Sequence, residues 1–203
     1  MIFFQPLYDY LLKNYSDHIN HFALIKLSLF GLDKTCLYFL IFVVLRLGWL
    51  LLAKKRRSPQ HEAKLWLFVF YLLLLLMLTV FRQSYFPWQL EFHWSRSLTQ
   101  INLRFMRETV KLVHGASLLD FFYNSVGNVA WFIPLGWLLP QLYAKRRSGA
   151  VTLLAGLCLS LVIETLQFLL MTGVSDIDDV FFNFCGCCLG YWLFCLWPGR
   201  AQH

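Results

Sequence analysis

The sequence predicts an all-α, polytopic membrane protein, a transmembrane helical bundle of about five spanning helices with an interfacial helix at the N-terminus. Three observations carry this prediction. Hydrophobic residues make up 59% of the 203-residue chain and charged residues only 14%, which leaves too little polar surface for a water-soluble globule. Apolar runs of about 20 residues, the length of helix that crosses a bilayer, recur along the chain. Basic residues cluster between these runs, as in the short cytoplasmic loops of membrane proteins.

The apolar runs define the predicted spans. They cover residues 37–53, 65–81, 124–142, 150–171 and 180–197, within one transmembrane domain predicted over residues 34–200. Asn128 and Pro134 interrupt the third run, and a proline there frees a backbone carbonyl and kinks the helix. The connection between the fourth and fifth runs is so short that these two helices must pack as an antiparallel hairpin.

The N-terminal region, residues 1–33, is predicted to lie at the membrane interface. Apolar side chains recur there at the spacing of an amphipathic helix, at Phe3, Phe4, Leu7, Tyr8, Leu11 and Leu12. Residues 22–32 are apolar but short and contain Lys26. They are therefore an interfacial segment, a re-entrant segment or an extension of the first span, and a sixth span is a further alternative.

The basic residues predict the orientation in the cell membrane. Runs of Lys and Arg follow the first and third spans, at residues 54–57 with Lys64 and at residues 145–147. Two loops are therefore predicted to be cytoplasmic: residues 54–64 and 143–148. Alternation of the spans then places two loops outside the cytoplasm: residues 82–123 and 172–179. The net charge of +7 comes largely from the basic loops, so it predicts contact with anionic lipids and no nucleic-acid partner.

Polar side chains converge on the outer ends of the last four spans. An ionisable or amide side chain in a spanning helix costs a few kcal/mol unless it finds partners, so its position is a functional clue. Arg82 closes the second span, Asn124 and Asn128 lie one turn apart at the start of the third, and Glu164 and Gln167 share a face of the fourth. The structural alternative is an ion pair between Glu164 and Arg82 that sets the helix register.

Acidic residues open the fifth span. Asp176, Asp179 and Asn183 fall on one stripe if the helix begins early. Ser175 and Asp178 fit a capping box, and acidic residues suit a helix N-terminus. Capping accounts for one or two of these acidic residues and leaves the others as candidates for a site.

Other residues favour packing over chemistry. All six cysteines lie in apolar runs, which argues against a disulfide framework. Gly186 and Gly190 have the spacing that lets two membrane helices approach closely. Neither a catalytic triad nor a metal-ligand spacing stands out, so no metal and no cofactor is predicted. Oxygen ligation of Mg²⁺ or Ca²⁺ by the acidic cluster with Glu164 is a minor alternative.

Four polar motifs, taken together, give the chain a family resemblance. They are Arg82 with the loop string Ile101-Asn102-Leu103, N-S-V-G-N-V-A-W-F-I-P-L-G from Asn124, I-E-T-L-Q from Ile163, and D-I-D-D-V-F-F-N-F-C-G from Asp176. In order and spacing they resemble the VanZ-like family of bacterial membrane proteins, over roughly residues 65 to 195. The chain departs from the family at Arg104, where members often carry Pro, and at residues 172–174, where they often carry Arg.

The resemblance implies a membrane protein associated with glycopeptide resistance of the teicoplanin type, acting without enzymes that remodel peptidoglycan precursors. Nine residues are candidates for ligand binding: Arg82, Asn102, Asn124, Asn128, Glu164, Gln167, Asp176, Asp179 and Asn183. The first hypothesis is a non-catalytic protein that binds a membrane lipid, a lipid-linked cell-wall precursor or the lipoglycopeptide. The alternative is an intramembrane enzyme acting on a lipid-linked substrate, with Glu164 and Asp179 as acid and base. A transporter fits less well, because the polar residues lie at one membrane face rather than the midplane.

Overall fold

The computed structural model describes residues 1–16, 22–53, 58–106, 118–143 and 148–197, and within these ranges the chain is helical with no β-strand. The predicted all-α class is therefore confirmed. The helices are α1 (Gln5–Tyr15), α2 (Phe22–Ala53), α3 (Pro59–Thr79), α4 (Leu118–Leu138), α5 (Ser148–Leu170) and α6 (Ile177–Leu196). Two short 3₁₀ turns lie between α3 and α4, at Pro87–Gln89 and Leu98–Gln100, and a third follows α4 at Leu139–Leu142.

Four helices in the described ranges, α2, α3, α5 and α6, are long and apolar enough to cross a membrane. They coincide with four of the five predicted spans, so the polytopic architecture is confirmed. The remaining predicted span corresponds to α4, which has 21 residues and contains Pro134. That α4 also crosses stays a prediction, as does the cytoplasmic placement of the basic runs at 54–57 and 145–147, which lie outside the described residues.

Residues 22–32 continue the first span without a break. They form one helix of 32 residues with residues 33–53, so the structure shows the third of the three alternatives, an extension of that span. At about 1.5 Å per residue the helix is about 48 Å long, longer than the hydrocarbon core of about 30 Å. The predicted domain boundary between residues 33 and 34 falls inside this helix.

Asp33 and Lys34, both fully buried in α2, find partners that are distant in the sequence. The backbone N–H groups of Ile2, Phe3 and Phe4 donate to the Asp33 carboxylate at 2.8, 2.6 and 2.8 Å. This N-terminal anchor joins the segment before α1 to α2.

The loop after α3 completes the surroundings of the same two residues. The Tyr85 hydroxyl donates to the Asp33 carboxylate, and the Lys34 ammonium donates to the carbonyl oxygens of Phe81 and, at 3.2 Å, of Ser84. Burial, with the hydrogen bond to Asp33, raises the pKa of the Tyr85 hydroxyl. Because that hydroxyl stays protonated at neutral pH, it remains a donor.

The core of the bundle lies between α3, α4, α5 and α6. Buried apolar side chains from all four helices form one cluster, which includes Leu75, Phe132, Leu135, Ile163 and Cys187. In contrast, α2 packs on α3, and many of its large apolar side chains are exposed, as expected for a helix that faces lipid. The four core helices therefore form the rigid frame on which the polar side chains are held.

The helices α4 and α6 pack with their backbones in close approach. A Cβ built on Gly186 would lie 2.2 Å from the Val129 carbonyl oxygen, and one built on Gly190 would lie 2.0 Å from the Ile133 carbonyl oxygen. Gly136 of α4 faces α6 in the same way. The close helix approach predicted for Gly186 and Gly190 is confirmed.

Substitution of Gly190 tests this packing. We expect Gly190→Ala to lower the stability of the bundle by about 2 kcal/mol, because a new methyl group meets backbone that has no room to move. The matched control is Gly48→Ala, since a Cβ on Gly48 meets nothing within 4 Å and alanine favours a helix. Equal melting temperatures of the two variants in detergent would contradict the close approach.

Candidate functional site

A polar cavity of about 360 Å³ lies where the end of α3, the middle of α4, the end of α5 and the start of α6 meet. The backbone path explains this position, because the hairpin of α5 and α6 turns at the same end of the bundle at which α3 ends. Seven of the nine candidate residues line the cavity: Arg82, Asn128, Glu164, Gln167, Asp176, Asp179 and Asn183. The structure thus brings together residues that are up to 101 positions apart (183 − 82).

The other two candidate residues are placed differently. Asn102 is not part of the lining, but its Nδ2 donates to the Asp176 carboxylate at 2.7 Å. Its backbone also forms a parallel bridge with Asp176, with Asn102 N–H donating to the Ser175 carbonyl at 3.0 Å. Asn102 therefore positions Asp176 at the rim. The side chain of Asn124 lies outside the described part of the structure.

Two carboxylates face the cavity from neighbouring helices. Glu164, only 5% exposed, accepts a hydrogen bond from the Asp176 N–H at 3.1 Å through Oε2. Asp179 accepts from Asn128 Nδ2 at 2.6 Å through Oδ1. Each carboxylate thus accepts a hydrogen bond from the protein, and each lines the same cavity.

The start of α6 is capped by Asp176 rather than by Ser175. The Asp176 side chain accepts from the Asp178 N–H at 2.9 Å, and the backbone of Asp176 is extended. The predicted capping role of Ser175 is therefore wrong, because the helix begins one residue later than the capping-box pattern requires. Capping occupies only one of the acidic residues, which leaves Asp179 for the cavity.

Asp178, interpreted from the sequence as part of a helix cap, instead holds the long loop after α3. Its carboxylate is 3% exposed and accepts from the Met106 N–H at 2.7 Å. Met106 adopts a positive φ of 58°, which is uncommon for a residue with a side chain. No signal in the sequence pairs Asp178 with a residue 72 positions away.

Arg82 lies beside the cavity without an ion pair to Glu164. Its Nε donates to the carbonyl oxygens of Leu78 and Thr79, both at 3.0 Å. Within the described ranges no ion pair joins Arg82 to Glu164, so the register-setting pair offered as the structural alternative is not formed. No described residue accepts a hydrogen bond from the two Nη nitrogens of Arg82. Arg82 lines the cavity, and its charge acts on Asp179.

Two amide side chains of the cavity already donate hydrogen bonds to acceptors on the protein. Gln167 Nε2 donates to the Thr79 carbonyl at 3.2 Å, and Asn183 Nδ2 donates to the buried Ser160 hydroxyl at 2.9 Å. Since carboxylates are acceptors only, the lining offers mostly oxygen acceptors and one cation, Arg82. A ligand that satisfies such a lining must be rich in N–H or O–H donors.

The carboxylates do not form a metal cluster in the described residues, where no three His, Cys, Asp or Glu side chains come close enough to hold an ion. Their hydrogen bonds explain why. The Asp176 and Asp178 carboxylates are turned toward backbone N–H groups and Asn102, so their oxygens do not converge with those of Glu164.

The sequence profile of the VanZ/LLP1 family matches residues 68–198. The chain belongs to the VanZ/LLP1 family. No curated protein and no solved structure matches it. The VanZ/LLP1 region begins inside α3 and contains all nine candidate residues, whereas α1 and α2 precede it. The family match therefore covers every residue that lines the polar cavity and leaves α2 outside.

Proposed function

We propose that this VanZ/LLP1 protein binds a membrane ligand with a donor-rich polar group at the extracytoplasmic face, and that binding protects the cell against glycopeptides of the teicoplanin type. The ligand is a lipid, a lipid-linked cell-wall intermediate or the lipoglycopeptide itself. The observation that carries the proposal is the lining of the cavity, in which buried acceptors lie around Arg82, whose Nη donors no described residue accepts.

The position of the cavity in the bundle supports the extracytoplasmic face. The cavity lies at the C-terminal ends of α3 and α5 and the N-terminal end of α6. The basic runs at residues 54–57 and 145–147 adjoin the opposite ends of α3 and α5. Since basic loops face the cytoplasm, the cavity belongs on the other side, where both cell-wall intermediates and glycopeptides are found.

A second candidate function is intramembrane acid–base catalysis. Glu164 and Asp179 line one cavity from adjacent helices, and Arg82 lies beside them. Two carboxylates with a nearby cation can move a proton and steady a developing negative charge. The binding proposal is favoured because both carboxylates already hold protein donors, which suits fixed recognition of a ligand.

The first test compares teicoplanin susceptibility of a sensitive host expressing the wild-type chain and Arg82→Gln at matched membrane abundance. We expect the wild type to protect and Arg82→Gln to lose most of the protection. A lost charge-assisted hydrogen bond is worth about 1.5–3 kcal/mol, or about tenfold or more in affinity. The control is Arg104→Gln, which removes an exposed charge from the same loop.

Two results would contradict the proposal. If the wild-type chain gives no protection, the teicoplanin role fails. If the wild type protects and Arg82→Gln protects equally, the cavity is not the binding site and its polar residues serve helix packing.

A further inference from the structure

A second cavity, of about 590 Å³, adjoins the polar cavity and shares four lining residues with it. The shared residues are Thr79, Arg82, Asn128 and Trp131. This second cavity is a groove between the N-terminal half of α2 and the middle of α4. In this region α2 packs on α3 and α4 packs mainly on α6, so the groove runs between two helices that have other main partners.

Most of the groove is apolar and opens sideways. Away from the shared residues, its walls are formed mainly by Leu24 and Leu27 of α2 and by Val126 and Ala130 of α4. Leu24 is 39% exposed and Val126 is 54% exposed. Exposed apolar side chains on the helices of a membrane bundle are expected to contact lipid rather than water. The groove therefore connects the lipid phase with the polar cavity.

The charges follow an order along this path. The apolar walls come first, Arg82 stands at the junction of the two cavities, and the carboxylates of Glu164 and Asp179 lie beyond it. A phospholipid carries groups that complement these in the same order: acyl chains for the apolar walls, an anionic phosphate for Arg82, and then a headgroup for the carboxylates. The phosphate suits the Nη donors of Arg82, and the acceptor-rich cavity suits a headgroup with N–H donors.

We propose that an aminophospholipid enters the site sideways between α2 and α4, with its phosphate on Arg82 and its ammonium group among the carboxylates. This inference rests on the proposed function of the polar cavity and adds the class of ligand and its route. It also gives α2, which precedes the region matched by the family profile, a part in forming the site.

The test of the ligand class is a titration of the purified full-length chain with phosphatidylethanolamine and phosphatidylcholine of identical acyl chains, followed by native mass spectrometry. Both headgroups carry a phosphate and a positive charge, but the choline group has no N–H donor. We expect phosphatidylethanolamine to bind tighter by about tenfold or more, because only its ammonium group can donate to the carboxylates. Equal affinities for the two lipids would overturn the proposal.

The route is tested with two glycines that have open space around them. A Cβ meets nothing within 4 Å at Gly127, which lines the groove, or at Gly48, which lies elsewhere on α2. Gly127→Leu fills the groove, and we expect it to weaken phosphatidylethanolamine binding about tenfold. Gly48→Leu is expected to bind as the wild type does, and equal melting temperatures would show that both variants are folded.

The outcomes separate this inference from the proposed function. Wild-type affinity in Gly127→Leu, together with weakened binding in Glu164→Ala, would overturn the sideways route and leave the polar cavity as the binding site. If neither phospholipid binds while teicoplanin protection still depends on Arg82, the aminophospholipid is overturned and the proposed function stands.

Discussion

Replacement of Glu164 by alanine is expected to abolish most of the glycopeptide protection, whereas glutamine at the same position is expected to retain much of it. Glu164 has two roles in the cavity: its Oε2 accepts the Asp176 N–H at 3.1 Å, and its carboxylate contributes to the lining. Alanine removes both and leaves a partly buried donor without its acceptor, at about 1–3 kcal/mol. Glutamine keeps one oxygen for the Asp176 N–H, but it loses the charge and replaces the second oxygen by an NH2 donor.

The comparison of these two variants also distinguishes binding from catalysis. An acid–base enzyme needs the ionisable group, so Glu164→Gln would lose about 10²–10⁴-fold in rate, much as Glu164→Ala does. A binding site loses about tenfold or less in affinity with the isosteric change. Asp179→Asn provides a parallel comparison, because asparagine keeps an oxygen for the Asn128 amide.

The measurement is the teicoplanin susceptibility of matched strains, with Glu91→Gln as the control for loss of an exposed carboxylate. Total loss of protection in both Glu164→Gln and Asp179→Asn, with unchanged membrane abundance, would replace the binding proposal with the catalytic one. Full protection by Glu164→Ala would remove Glu164 from the site.

Replacement of Asp33 by alanine is expected to release the N-terminal segment and lower stability by about 3 kcal/mol. The Asp33 carboxylate accepts three backbone N–H groups and the Tyr85 hydroxyl. A hydrogen bond to a charged group is worth about 1.5–3 kcal/mol. The four contributions do not add in full, because the N–H groups of the released segment are hydrated by water. Asp33→Asn is expected to lie between the wild type and alanine, because its amide keeps one acceptor oxygen.

Hydrogen–deuterium exchange of the N-terminal peptide measures this effect directly. The amides of residues 2–4 are expected to exchange slowly in the wild type and fast in Asp33→Ala, alongside a lower melting temperature in detergent. The control is Asp9→Ala, since Asp9 is exposed on α1 and its described partner is Gln5; an exposed substitution changes stability by about 0.5 kcal/mol or less. Unchanged exchange in Asp33→Ala would show that the N-terminal anchor contributes nothing in solution.

The N-terminal anchor and the site meet on α2. Asp33 fixes the helix about two turns from Leu24 and Leu27, which form one wall of the groove. Tyr85 and Lys34 tie the same part of α2 to the loop that follows Arg82. Loss of the anchor is therefore expected to disturb the groove as well as the N-terminus.

Much of the architecture could be predicted because the bilayer imposes simple requirements. Four spans followed from apolar runs of sufficient length, and the site followed from polar side chains placed in those runs at a cost that only partners can offset. The continuity of α2 could not be predicted, because Lys26, Asp33 and Lys34 read as a break in the apolar run. The cost of Asp33 and Lys34 is offset by contacts with residues 2–4 and with the loop after α3, which no local pattern reveals.

The sequence by itself determined the membrane class, the helices and the set of polar residues from which the cavity is built, because these depend on composition and on spacing within single helices. Only the tertiary structure decided the partners of those residues. Asp178 holds Met106, Asn102 holds Asp176, and Arg82 is left with Nη donors that no described residue accepts. These pairings join segments 72 or more positions apart, and they follow because α3 and α5 end, and α6 begins, at one side of the bundle. A one-dimensional pattern lacks that information.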